Sequence, residues 1–138
     1  MTSPDSYTRT EILTASPQQL RALVLKHALH EARRLLQAVE QEAGEKILSS
    51  GSRLRALVLE LIPAKSTKMD SELLERLRSI GVYLYRRIGI ACSQRDPEVA
   101  SEIIQLLAFE QETWKQAMSR LETDSPIDVP PGRTNLAG

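Results

Sequence analysis

An all-α fold, an antiparallel up-down four-helix bundle with an N-terminal arm and a disordered C-terminal tail, is predicted by three features of the sequence. Apolar residues recur at three- and four-residue spacing along most of the chain, strand-like alternation is absent, and glycine and proline fall almost entirely between the periodic segments. These breaks divide the chain into an arm (residues 1–16), a helical bundle (17–122) and a tail (123–138). The 138 residues suit one domain, in which about two-thirds of the unfolded surface can be buried without metal or disulfide staples.

The first helix has a marked start in Thr14-Ala15-Ser16-Pro17-Gln18-Gln19-Leu20. The Ser16 hydroxyl can accept from free N–H groups of the first turn, Pro17 suits the first helical position, and Gln19 can reach back to complete a capping box. The helix should run from about Pro17 to Ala43 and stop at Gly44. One stripe is Leu25, Leu29, Ala32, Leu36, Val39 and Ala43; a second is Leu20, Val24, Ala28 and Leu35, which together make a wide apolar face.

A shorter helix is expected from about Glu45 to Ile62, with Ile47, Leu54, Val58 and Leu61 on one side, Pro63 as its stop and Gly51 weakening its first turns. After the polar linker from Ala64 to Lys68, Asp70 is placed to cap a third helix whose seam is Leu73, Leu77, Ile80, Leu84, Ile88 and Ala91. The last helix should begin at Asp96-Pro97-Glu98, which combines a cap, a proline at N1 and a carboxylate on the positive end of the helix dipole. Ile103, Leu107, Trp114, Met118 and Leu121 line one side of it, and Glu110 interrupts that stripe. Beyond Leu121 the apolar content is too low to fold. Short connections between four helices imply antiparallel neighbours.

Composition narrows the function. Lys+Arg and Asp+Glu both total 18, so no net field draws the chain to phosphate backbones or anionic lipid, and neither nucleic acid nor membrane insertion is expected. The single cysteine, Cys92, sits in a periodic segment as a small buried thiol and suits a reducing cytosol. Met1-Thr2-Ser3-Pro4-Asp5 has no basic region followed by an apolar one, and no stretch reaches about 20 apolar residues, so neither secretion signal nor membrane span is expected.

His27 and His30, three apart beside Glu31, resemble half of a metal site. A carboxylate-bridged bundle centre needs Glu-x-x-His on two helices, and none occurs, so these histidines read as rim residues and no metal or cofactor is expected. No phosphate loop, Cys-x-x-Cys or Gly-x-Ser-x-Gly turn is present, and the chain does not read as an enzyme. Arg76, Arg78, Arg86 and Arg87 share their helix with Glu72 and Glu75 and read as a solvated face. Tyr83, Tyr85, Phe109 and Trp114 read mainly as core filling. Tyr7 differs, because a tyrosine on a segment with no core of its own needs a surface to lie against. That surface would be a groove between helices, and Ile12 and Leu13 either dock in the same groove or form a hydrophobic staple at the start of the first helix.

Tyr7, Ile12, Thr14-Ala15-Ser16-Pro17, Leu20, Tyr83-Leu84-Tyr85-Arg86-Arg87-Ile88, Asp96, Glu102 and Trp114-Lys115-Gln116-Ala117, in this order and spacing, resemble the flagellar secretion chaperone of flagellin, the FliS family. The resemblance covers about Tyr7 to Leu121. Where members usually carry Leu-Tyr-Glu-Gly-Ala, this chain has Val24-Leu25-Lys26-His27-Ala28; a common Leu-Tyr-Asp-Tyr reads Ile80-Gly81-Val82-Tyr83, and Cys92 replaces an asparagine. The resemblance implies a cytoplasmic helical bundle without enzymatic activity or cofactor. Such a bundle binds the C-terminal segment of flagellin, blocks premature polymerisation and escorts the subunit to the flagellar export gate.

In physical terms, an amphipathic client segment would lay its i, i+3, i+4 and i+7 side chains into an interhelical furrow. The expected groove residues are Leu20, Leu23, Val24, Tyr83, Arg87, Ile103 and Leu107. Tyr7, Ile12 and Leu13 are expected to form a lid hinged at Ser16 and Pro17, which covers the empty groove and limits self-association to a monomer or weak homodimer. The alternative is a helical adaptor or regulatory bundle that binds some other amphipathic helix.

Overall fold

The computed structural model describes residues 16–64 and 68–124. Tyr7, Ile12, Leu13 and most of the expected arm and tail lie outside the described residues. Four helices follow in order: α1 (Pro17–Glu40), α2 (Gly44–Leu61), α3 (Ser71–Gln94) and α4 (Pro97–Asp124), and no strand occurs among the described residues. Each helix packs on its neighbours in sequence, and α4 closes the ring against α1. Cross-helix contacts fix the directions. Arg21 near the start of α1 reaches Leu61 at the end of α2, and Gln18 meets Trp114 late in α4. Gly51 of α2 and Ile62 just past its end lie beside Cys92 and Gly81 of α3, and Arg87 and Arg76 of α3 pair with Glu102 and Glu110 of α4, so neighbours run antiparallel.

The start of α1 is the predicted capping box. Gln19 N–H donates to Ser16 Oγ at 3.2 Å, and Ser16 N–H donates to Gln19 Oε1 at 2.9 Å. Its end departs from expectation: α1 stops at Glu40, and Gly44 opens α2 instead of closing α1. The stop is a Schellman motif, in which Ala43 N–H bonds Ala38 O at 2.9 Å and Glu42 N–H bonds Val39 O at 3.1 Å. Glu42 holds the left-handed position at φ 53°, where glycine is the usual occupant. The same substitution for glycine recurs after α3, where Arg95 has φ 50°.

α2 ends at Leu61, one residue before the expected limit, because Ile62 precedes Pro63 and is held extended at φ −81° and ψ 114°. Gly51 does not interrupt α2. It lies buried against α3, and a methyl group there would stand 2.5 Å from Cys92 Sγ, so its role is close helix approach. Asp70 caps α3 by accepting from Leu73 N–H at 3.2 Å, and Asp96 Oδ1 accepts from Glu98 N–H at 2.9 Å ahead of Pro97 and α4.

The core forms where the stripes meet. Leu25 and Leu35 of α1, Leu54 and Val58 of α2, Leu84 and Ile88 of α3, and Ile103 and Leu107 of α4 are essentially inaccessible. All four seam residues expected for α2 are buried, while Leu73 and Ile80 sit at the edge of the α3 seam. Leu121 departs from its stripe and is 62% exposed. Trp114 is already level with the start of α1, so the following seven residues carry α4 about 10 Å past its neighbour. α4 also continues to Asp124, two residues beyond the expected end of the bundle.

Candidate functional site

An open groove of about 1170 Å³ lies between the first half of α1 and the second half of α2. Leu20, Leu23 and Val24 of α1 face Leu57 and Leu61 of α2 across it. Ile62, Pro63 and Met69 extend the apolar lining towards α3, Pro17 stands at the rim, and Trp114 closes one end. Leu20, Leu23, Val24 and Leu57 are only partly covered, because helix packing buries the adjacent positions Leu25, Ala28 and Val58 and leaves this shoulder of each stripe without a facing helix.

The Trp114 end is held by three helices. Arg21 Nη1 donates to Leu61 O at 2.7 Å and so satisfies a carbonyl that the end of α2 leaves free. Its guanidinium lies 5.2 Å from the centroid of the Trp114 ring, and Trp114 Nε1 donates to Gln18 O at 3.0 Å. Burial pushes the Arg21 guanidinium down from its ordinary value, while the nearby Glu110 carboxylate pulls it back up. It remains cationic.

Polar residues enter the groove further along α1. His27 and Glu31 stand one turn apart on its lining, with Arg53 across from Glu31 on α2, while Glu60 lines the groove beside Leu61, towards the Arg21 end. Glu31 Oε2 lies 3.3 Å from Arg53 Nε and 3.8 Å from Arg34 Nη1. His30 is exposed on another face of α1, and no group of three or more potential metal ligands occurs among the described residues.

Of the expected groove residues, the structure brings together Leu20, Leu23 and Val24, with Pro17 beside them and Ser16 as the cap. Ile103 and Leu107 do not line it: at 1% and 0% exposure they belong to the core, on the face of α4 turned into the bundle. Tyr83 and Arg87 sit at the α3–α4 edge, across the bundle from the groove. There Tyr83 Oη donates to Glu102 Oε2 at 2.7 Å, Arg87 Nε donates to Glu102 Oε1 at 2.8 Å, and Arg87 stacks 5.9 Å from the Tyr83 centroid. The bond from Tyr83 holds the Glu102 carboxyl below its ordinary value; burial opposes it, and the bond and charge of Arg87 add to the lowering. The bond to Glu102 likewise raises the Tyr83 hydroxyl.

The arginine-rich face of α3 is mostly neutralised. Arg76 pairs with Glu110 at 3.9 Å, Arg78 with Glu75 at 3.9 Å, and Arg87 with Glu102 at 2.8 Å. Cys92 is half-buried and its thiol is pushed up by burial, as a packing residue's would be.

The family of the flagellar protein FliS matches residues 1–121, spanning the groove, the α3–α4 edge and Trp114. The chain belongs to the FliS family. Among individual curated proteins, none matches it. FliS proteins are flagellar export chaperones, and Tyr83, Arg87 and Glu102, which belong to the resemblance read from the sequence, meet here in one cluster. Sequence reasoning missed Arg21, Glu31, Arg53 and Leu57 as groove residues. Glu31 could have been found, because it continues the Leu20, Val24, His27 progression on one face of α1; the pairing of Arg21 with Trp114, remote in sequence, could not.

Proposed function

We propose that this FliS-family chain is a cytoplasmic export chaperone that binds the disordered C-terminal segment of flagellin. It prevents premature polymerisation and delivers the subunit to the flagellar export apparatus. The observation that carries this reading is the open apolar groove between α1 and α2 in a bundle of this family. From Leu20 to Glu31 the groove follows α1 for about 17 Å, the length of three helical turns of a client. A segment folding into it presents i, i+3, i+4 and i+7 side chains to Leu20, Leu23, Val24 and Leu57. Those client side chains are the ones that would otherwise drive self-assembly. Ordering a disordered segment consumes part of the interaction energy, which keeps the complex reversible at the export gate.

The arm supplies regulation in this reading. Tyr7, Ile12 and Leu13 cover the empty groove, and the chain turns at Ser16 and Pro17, which stands at the rim. Covering the groove keeps the free protein a monomer or weak homodimer. The role of Tyr83 and Arg87 is a second, more polar contact on the far edge of the bundle.

Titration calorimetry of the full chain with a peptide of its own flagellin's C-terminal segment tests the reading. Binding at about 10 µM or tighter, equivalent to about −7 kcal/mol, is expected. Absence of binding at that strength overturns it. Removing residues 1–13 should tighten binding and promote self-association, and unchanged values for both would refute the lid.

A further inference from the structure

Glu31 is an anomaly in an apolar groove. It is 9% exposed and lines the groove wall, yet its Oε1 has no hydrogen-bond partner among the described residues. Its Oε2 meets Arg53 at 3.3 Å and Arg34 at 3.8 Å, longer than the 2.7–2.9 Å of a charge-assisted hydrogen bond, and both arginines are about half exposed. A buried carboxylate left in this state costs free energy that the fold does not recover. Oε1 is enclosed when the groove is empty, so a client donor reaches this carboxylate only as it turns about its soft last torsion away from Arg53, which is half exposed.

Resting on the client reading above, we infer that Glu31 is a specificity-determining acceptor, which selects a client helix whose apolar stripe is broken once by a neutral hydrogen-bond donor. Charge decides between a neutral and a cationic donor. Arg53 and Arg34 already place two positive charges beside one carboxylate, so a lysine or arginine on the client would be repelled, whereas an amide or hydroxyl makes the missing bond without adding charge. Position is fixed as well. Glu31 lies seven residues beyond Val24 on α1, about 10 Å along the groove, so the client's asparagine, glutamine, serine or threonine stands about two turns from the apolar side chain seated over Val24. A wholly apolar stripe would bury the Glu31 carboxylate still unpaired and bind more weakly.

The test is a set of calorimetric titrations of the full-length chain with the C-terminal flagellin peptide, changing each asparagine, glutamine, serine and threonine of the peptide to alanine in turn. Against the wild-type chain one change should weaken binding about tenfold, the effect of one buried hydrogen bond, and against Glu31→Leu the same change should have no effect. If no peptide position shows an effect that depends on residue 31, the inference is overturned while the client reading stands. If Glu31→Leu does not fold, Glu31→Gln decides: its weaker acceptor should shrink the tenfold effect, and an undiminished effect refutes the role of the carboxylate. A wild-type chain that binds none of the peptides overturns the client reading itself.

Discussion

The α1–α2 groove and the α3–α4 edge both place a glutamate between helices beside an arginine, and they satisfy it in opposite ways. Glu102, at the exposed edge, accepts at 2.7 Å from Tyr83 and 2.8 Å from Arg87. Glu31, in the groove wall, is 9% exposed, and its closest cation stands at 3.3 Å. Good geometry thus occurs where water makes it nearly worthless, and poor geometry where burial makes it costly. A fold selected for stability alone would reverse that arrangement. The edge is a solvated clasp, and the proposed client groove keeps its one buried carboxylate incompletely satisfied.

The largest effect that separates core from groove is at Leu107. Leu107→Ala should lower stability by about 2–5 kcal/mol in chemical denaturation, because the side chain is fully buried. Leu20→Ala, at a half-covered groove position, should cost only about 1 kcal/mol while weakening client binding. Equal losses at both sites would erase the distinction.

Next in size is the effect of removing the groove carboxylate. Glu31→Leu should raise stability by about 1–2 kcal/mol, since a poorly paired buried ion gives way to an apolar side chain and Arg53 keeps its access to water. A lower midpoint in urea would show that Glu31 is structural. Smaller still, Glu42→Gly and Arg95→Gly should each stabilise by about 0.5–1 kcal/mol, because both residues hold left-handed backbone. These changes lie outside both regions and should leave client affinity unchanged.

The smallest effect belongs to the edge. The Glu102 carboxyl is depressed in the folded chain, so its contribution is present above its ordinary value of 4.5 and is lost as pH falls through the folded value below that. The Tyr83 hydroxyl is raised, so its contribution is present below 10.0 and is lost as pH climbs through the folded value above that. Glu102→Gln should therefore flatten the stability profile below pH 4.5 by only a slight amount, as the pair is exposed. A steep change there would make the clasp a structural element after all.

Much of this architecture is legible in local sequence. Ser16, Asp70 and Asp96 announce three helix starts because capping is a contact within three residues, and the α2 seam follows from period alone. The end of α1 was hidden because Glu42 takes a conformation for which Gly44 looked the better candidate. The groove was half legible. Leu20, Leu23 and Val24 sit on the shoulder of a wide stripe, but period cannot tell a shoulder that meets a helix from one left open, and Ile103 and Leu107 fell on the wrong side of that division. Arg21, Leu61, Gln18 and Trp114 meet only through tertiary packing, which no local pattern records.

The most direct test of the central claim follows the methyl resonances of the full-length chain by NMR while its flagellin's C-terminal peptide is added. The α1–α2 groove as docking site predicts that Leu20, Leu23, Val24 and Leu57 shift first and furthest. Shifts confined to methyls around Tyr83 and Glu102, with those four unmoved at saturation, would contradict it.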